Sequence, residues 1–435
     1  TIQSIGYMEL HPELRPVVVI CPKLVKEKWA REIRKWMSDP GKIAILEGKT
    51  PYQIDADIYI INYDILPNDY ETGNDGKKRE IKYSGWVDHL ADKNIEILIT
   101  DECHYYKSNK AKRTKAVKKL AKASPKMIAL SGTAIENRPV EIYNPVNLIN
   151  PNLFPNFMHF GKKYCNGKHN GFGWDFNGSS NISELHQILT ESVMIRRKKK
   201  DVLKDLPDKI YSYIPLDIAN KQEYMQAQAN FIDYVRANKG EKHAAKAEAA
   251  ETLTRIEALK QLAANGKIDQ VKEWIKDFLE GSDEKLVVFA VHRAVIDEIV
   301  KEFPDITVKV DGSTNNREAA FQTFQTDQNC RLFVGNIKAA GVGMELTASS
   351  NVAVVELPWT PGALDQAIDR LHRIGQKDAV TVHYLLAQET IEEDIAQLID
   401  KKREIISQAL DGIEVDSDTL INELISNILK QEENG

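Results

Sequence analysis

The 435 residues are 42% apolar and 28% charged, with 58 Lys and Arg against 64 Asp and Glu and a formal net charge of -6. That balance excludes an intrinsically disordered chain, and the length exceeds what one hydrophobic core usually serves, so two or three domains are expected. No apolar run approaches the roughly 20 residues of a membrane helix, and no charged-then-apolar leader opens the chain. Four widely spaced cysteines (Cys21, Cys103, Cys165, Cys330) fit neither a disulfide framework nor a zinc cluster, which points to a reducing, cytoplasmic setting.

The chain opens at Thr1-Ile2-Gln3-Ser4, without an initiator methionine and inside a helical pattern, as though its beginning were missing. Pro16 to Cys21 is a short apolar run of buried-strand type. It is followed by Val25, Trp29, Ile33 and Trp36 at helical spacing. Further strand-like runs are Ile43 to Leu46, Asp57 to Ile61, Ile95 to Ile99 and Met127 to Leu130, with a basic, Ala-rich helical stretch from Lys110 to Ala123 between the last two. Strands alternating with helices imply a parallel sheet covered on both faces.

Pro145 to Asn181, rich in Asn, Gly, Pro and aromatics, reads as an insertion or long loop, and Tyr211 to Gln261 reads as mostly helical. Alternation resumes near Gly266, with strands expected at Leu286 to Ala290, Ile306 to Val310, Arg331 to Val334, Ala353 to Leu357 and Val380 to Leu386. The expected organisation is α/β: a first doubly wound lobe over 1–210 with an insertion at about 145–195, a helical connector over 211–265, a second lobe over 266–410 and an acidic tail over 411–435.

Charge is unevenly spread. From Glu389 to the end there are 13 acids and 4 bases, a balance of -9, whereas Lys107 to Lys126 holds nine bases and no acid, and Arg196 to Lys200 is five consecutive bases. Taken singly, such runs are most simply solvated faces; facing one way, they suit nucleic acid.

Four blocks carry chemistry. The strand Ile95 to Thr100 runs into Asp101-Glu102-Cys103-His104, which puts two carboxylates and an imidazole at the carboxyl end of a parallel strand, where ligands of open α/β sheets bind. One carboxylate can hold Mg²⁺ and the next can deprotonate an attacking water, as nucleoside triphosphate hydrolysis requires. The next strand ends in Ser131-Gly132-Thr133. Asn336 to Leu346 is a glycine-bearing loop suited to phosphates through Gly341 and Gly343. In Gln366 to Gln376, Arg370 and Arg373 are three apart and would share a helix face, with Gln366 one turn earlier. An arginine pair so placed can serve as fingers on a γ-phosphate.

In order and together these blocks resemble the Swi/Snf-type ATPases of helicase superfamily 2, nearest the annealing-helicase or fork-remodelling branch. Val18 to Pro22, Ile58 to Tyr63, Asp101 to His104, Leu130 to Pro139, Ile195 to Pro207, Leu286 to Asp297, Asp311 to Ser313, Asn336 to Leu346 and Gln366 to Gln376 look like successive motifs of that family, and the Arg-Ile-Gly-Gln ending is the most specific. The resemblance implies two RecA-like lobes, ATP and Mg²⁺ as cofactors, and double-stranded or branched DNA as partner. It implies that Asp101 and Thr1 bind the metal and Glu102 activates water. His104, Ser131, Thr133 and Gln366 would couple nucleotide state to the lobes, Gly341 and Gly343 would lie near the nucleotide, and Arg370 and Arg373 would be the fingers. Pro22, Lys23, Asn62, Ser313 and Asn336 would touch DNA backbone. Ala134, Asn336, Ala340 and Glu345 depart from the family pattern. The Gly-x-Gly-Lys loop expected just before Thr1 is missing, so the chain alone is expected to be inactive. An RNA helicase and a non-catalytic DNA-binding scaffold are the alternatives. The expected protein acts as a monomer in the cytoplasm (at the nucleoid if bacterial or phage), with the acidic tail open to a protein partner and no membrane association.

Overall fold

The computed structural model describes all residues except 73–77, 133, 136, 170, 172, 198, 239–244, 341–344 and 412–435. The chain divides into two compact units, Thr1–Ile195 with the described residues from Ile405 on, and Arg196–Glu404. No described helix is long and apolar enough to cross a membrane.

The first unit is built on five parallel strands: β1 (Val17–Cys21), β2 (Ile43–Ile45), β3 (Ile58–Asn62), β4 (Ile97–Asp101) and β5 (Lys126–Leu130), in the order β2-β3-β1-β4-β5. Runs such as Val-Val-Val-Ile-Cys and Ile-Tyr-Ile-Ile-Asn are buried on both faces, as strands sandwiched between helices must be. Val18, Ile20, Tyr59, Ile61 and Leu98 form the core on one face, and their alternates Val19, Ile58, Ile60, Ile97 and Ile99 are equally buried. The helix Lys26–Trp36 turns Trp29, Ala30 and Ile33 onto the sheet; Trp36, although in phase with them, is 53% exposed. The edge strand β5 is only half-buried along its apolar length.

Six parallel strands form the second unit's sheet: β6 (Ile210–Leu216), β7 (Leu286–Ala290), β8 (Thr307–Val310), β9 (Leu332–Asn336), β10 (Asn351–Val354) and β11 (Thr381–Ala387). Their order is β8-β9-β7-β10-β11-β6. The first five repeat the order of the first sheet, second-third-first-fourth-fifth, and β6 is added at one edge. Successive residues feed opposite cores: Val287, Phe289 and Val354 on one face, Leu286, Val288 and Ala353 on the other.

Three stretches differ from the sequence reading. Pro145 to Asn181 is no long loop; the helices Tyr143–Ile149, Phe157–Tyr164 and Ile182–Ser192 close over an aromatic core of Tyr143, Phe154, Phe160 and Tyr164, a contact set without one clear sequence period. The segment read as helical from Tyr211 begins instead as strand β6, paired with β11 from Ile210↔Thr381 to Leu216↔Ala387. Its alternating Tyr211, Tyr213 and Ile214 fit a half-covered strand. The helices that follow, Lys221–Asn238 and Ala245–Gly266, set Tyr224, Phe231, Ile256, Leu259 and Ala263 into the second unit's own core. The acidic tail lies outside the described residues.

Candidate active site

In both sheets the chain leaves the first strand on one side, fills two positions, and returns to the other side for the fourth. The crevice between the first and fourth strands, at their carboxyl ends, is therefore the place for a ligand. In the first unit that crevice lies between Cys21 and Asp101, with Ile20 opposite Thr100.

Asp101 closes β4, and its two carboxylate oxygens are held apart by different donors. The buried indole Nε1 of Trp29 donates to Oδ2 at 2.8 Å, and the backbone N–H of Glu102 donates to Oδ1 at 3.1 Å. The Tyr63 hydroxyl donates to the Asp101 carbonyl at 2.7 Å. Burial, and then the neighbouring Glu102, raise the Asp101 carboxyl above its ordinary value, against the Trp29 hydrogen bond. A nearby cation would relieve both effects. Glu102 has φ 54° and ψ 60°, a left-handed conformation rare outside glycine and costing about 1–3 kcal/mol. This twist aims its side chain at the next strand end: Ser131 Oγ donates to Glu102 Oε2 at 3.3 Å, and His104 Nδ1 lies 3.3 Å from the same oxygen and 3.5 Å from Ser131 Oγ. Cys103, between these residues, is buried with its thiol pushed up to about 12, so it packs and is no nucleophile.

The donor set fits Mg²⁺. That ion is commonly held by one or two carboxylates plus water and substrate phosphates, without an all-protein cage. Asp101 and the Thr1 hydroxyl supply oxygen donors of that kind, and no cluster of three or more metal-ligating residues occurs among the described residues.

Pro22 and Lys23 follow β1, and Asn62 ends β3 opposite Cys21, so all three stand on the same sheet edge as Asp101. Asn62 is buried and its Nδ2 lies 3.5 Å from Asp64 Oδ2. In the second unit Asn336 closes β9, donating to the Val291 carbonyl at 2.6 Å and accepting from Lys338 N at 3.0 Å. Ser313 wraps on Asp311, its N–H and hydroxyl both donating to Oδ1 at 2.8 and 2.7 Å. Those bonds, with Lys309, hold the Asp311 carboxyl well below the usual range.

Arg370 and Arg373 do not share a helix. The helix Pro361–Ile368 carries Gln366 but stops before them, and both arginines lie in the turns that follow. Those turns are tightly held. The Arg370 carbonyl accepts from Leu346 N at 2.9 Å, and Arg373 Nη1 lies 3.6 Å from Glu345 Oε1. Gly375, at φ 101°, adopts a conformation that favours glycine; Gln376 beyond it donates to the Ser349 carbonyl at 2.8 Å. Arg370 is buried and Arg373 half-exposed. Thr133, Gly341 and Gly343 lie outside the described residues.

Several residues escaped the sequence reading. Trp29 was read only as a core residue. Lys199 bonds the His372 carbonyl at 2.8 Å and Asp369 at 2.9 Å, Lys209 bonds Asp369 at 2.7 Å, and His372 Nε2 lies 2.7 Å from the Pro207 carbonyl. Lys199, from the basic run, and Lys209 thus clamp the arginine turn. At the second sheet's own crevice, buried Glu356 accepts from the N–H groups of Val291 and His292 at 2.8 Å and pairs with the His292 ring, whose other nitrogen lies 3.0 Å from Glu257. Composition gives no sign of that pairing, which depends on strands far apart in the chain.

Two parallel-sheet lobes with helicase-type blocks at their strand ends define a class, and comparison specifies the family. The SNF2-related domain matches residues 1–268 and the helicase conserved C-terminal domain matches 266–375. The chain belongs to the SNF2-related helicase-like family. It is 33% identical over 419 residues to the SWI/SNF-related matrix-associated actin-dependent regulator of chromatin subfamily A-like protein 1 of Xenopus tropicalis, covering 94% of this chain and 42% of that protein. To the DNA annealing helicase and endonuclease ZRANB3 of Homo sapiens it is 31% identical over 425 residues, covering 95% of this chain and 38% of that one. The chain thus spans well under half the length of these relatives. The SWI2/SNF2 ATPase core of Sulfolobus solfataricus in complex with dsDNA aligns over 94% of this chain and 85% of that one, with 26% identity and a TM-score of 0.40.

Proposed function

We propose that the protein is a DNA-dependent ATPase that moves along double-stranded or branched DNA. The observation that carries this reading is the cluster at the end of β4, where Asp101 is fixed by Trp29 and Glu102 is turned toward Ser131 and His104. Glu102 takes the proton of the attacking water, and Ser131 and His104, on its Oε2, sense the change in its charge. Asp101 and the Thr1 hydroxyl would hold Mg²⁺, which would supply charge neutralisation for the transferred phosphoryl group. Arg370 and Arg373 would stabilise negative charge on a terminal phosphate, as fingers do in other nucleotidases. Pro22, Lys23, Asn62, Ser313 and Asn336 supply sequence-blind backbone contacts.

In the full-length protein, Glu102→Gln is expected to bind ATP without turnover. Arg373→Ala is expected to lower DNA-stimulated turnover by about 10³ or more. Steady-state ATPase with duplex DNA, structured RNA or neither tests both. A fully active Arg373→Ala protein refutes the finger role, and stimulation by RNA alone refutes the DNA assignment.

A further inference from the structure

The basic run from Lys107 to Lys126 finds no use in the site above. Its helix, Lys112–Ala123, carries no acid in its first turn, where Lys112, Arg113 and Lys115 are exposed. A cavity of about 330 Å³ opens beside that turn, lined by Lys49, Tyr63, Asp64, Lys112 and Arg113 among others. Three features make it a prepared anion site. Aromatic rings hold the cations: Lys112 and Lys115 stand 5.3 and 5.6 Å over Tyr70, and Arg113 stands 5.5 Å over Tyr105. Their charge is largely unspent. Lys49 pairs with Asp69, which also lies in the field of Lys112; among the described residues Lys112, Arg113 and Lys115 make no ion pair, and Asp64 is the one carboxylate among the lining residues. The cavity also lies next to the strand ends already assigned to DNA, since Tyr63 follows Asn62 and the Asn62 amide reaches Asp64.

We propose that Lys112 and Arg113, which line this cavity, and Lys115, which stands over the same Tyr70 ring as Lys112, form a second phosphodiester-binding site that extends the grip of the first unit beyond Pro22, Lys23 and Asn62. The inference rests on the DNA-binding reading and specifies its geometry. Tyr70, one of the two aromatic supports, comes from the hairpin Asp69–Thr72 and Lys78–Ile81, which has no counterpart in the second unit's sheet order. The ligand is backbone phosphate: the exposed groups are cations, while the Tyr63 ring is buried and stacked 5.0 Å from Tyr105, leaving no free ring face for a base. That stack continues inward, because the Tyr63 hydroxyl reaches the Asp101 carbonyl.

The test is the salt dependence of duplex-DNA binding by the full-length protein. Each phosphate neutralised contributes about 0.9 to the slope of log affinity against log salt. The Lys112→Gln/Arg113→Gln/Lys115→Gln variant is expected to bind more weakly on every duplex sequence, with the slope reduced by about two to three. Lys112→Arg/Arg113→Lys/Lys115→Arg, which keeps the charge, should retain the slope, and Lys122→Gln, farther along the helix, should change it by less than one. An unchanged slope in the triple glutamine variant, with wild-type protein binding DNA normally, overturns the site. Failure of the wild-type protein to bind duplex DNA overturns the parent reading instead. A slope change on duplex RNA alone also overturns the site.

Discussion

Replacing Trp29 by Phe removes one hydrogen-bond donor from the Asp101 carboxylate and part of a ring from the core. Trp29 is 1% exposed, and its indole N–H meets Asp101 Oδ2 at 2.8 Å. A hydrogen bond to a charged acceptor is worth about 1.5–3 kcal/mol. The lost ring atoms are equivalent to about two buried methylenes, about 1.5 kcal/mol more, so the expected loss of stability is about 3–4.5 kcal/mol. A double-mutant cycle with Asp101→Asn separates the two terms. With a neutral acceptor the hydrogen bond falls to about 0.5–1.5 kcal/mol, so a coupling of about 1–2 kcal/mol is expected. Urea unfolding followed by circular dichroism gives the four free energies. Strict additivity would mean that the indole does not stabilise the Asp101 charge, and the account of how that carboxylate is oriented would fail.

Tyr63→Phe is expected to leave DNA affinity intact but lower DNA-stimulated ATPase, because it severs the hydroxyl contact to the Asp101 carbonyl; equal stimulation in wild type and variant refutes that link. The hydrogen bond that the His292 ring donates to Glu356 raises the His292 pKa against its burial, with the charges of Glu356 and Glu257 adding to it and Lys260 opposing it. The stability this gives is present in full below the ordinary value of about 6.5 and is lost as pH rises through the elevated folded value. His292→Gln should therefore flatten the fall in stability above neutrality, and an unaltered pH profile counts against the pair. Lys267 is fully buried, bonded to Glu392 and to the Leu385 carbonyl at 2.6 Å. Lys267→Met alone should cost about 3–5 kcal/mol, whereas Lys267→Met/Glu392→Leu should recover most of it, as measured by thermal unfolding.

Strand identity was legible because both sheets are parallel and covered on two faces. Val17–Cys21, Ile58–Asn62 and Leu286–Ala290 are near-continuous β-branched or aromatic runs whose burial leaves little choice of conformation. Ile210–Leu216 was not, since its alternating, half-exposed residues carry a weaker signal and its pairing with Thr381–Ala387 joins segments far apart in the chain. The candidate site was legible as far as side chains follow strand ends: Asp101, Glu102 and Ser131 do. What orients them was hidden, because Trp29 and Tyr63 reach Asp101 from other elements, and apolar periodicity explains those rings equally well. The Arg370–Arg373 spacing suggested a helix. Tertiary bonds from Leu346, Lys199 and Gln376 fix a turn there instead, an outcome no local propensity encodes.

The half-covered border of the first sheet has a consequence for handling the polypeptide. Among the described residues Lys126–Leu130 pairs on one side only and its apolar side chains are partly shielded, a template on which another chain can align. Pro125 and the exposed Lys126 guard its amino end, but Ile128 to Leu130 carry no such gatekeeper. Concentrated preparations in which that border stays bare will tend to assemble edge to edge, and a lysine at Ile128 would be the economical remedy.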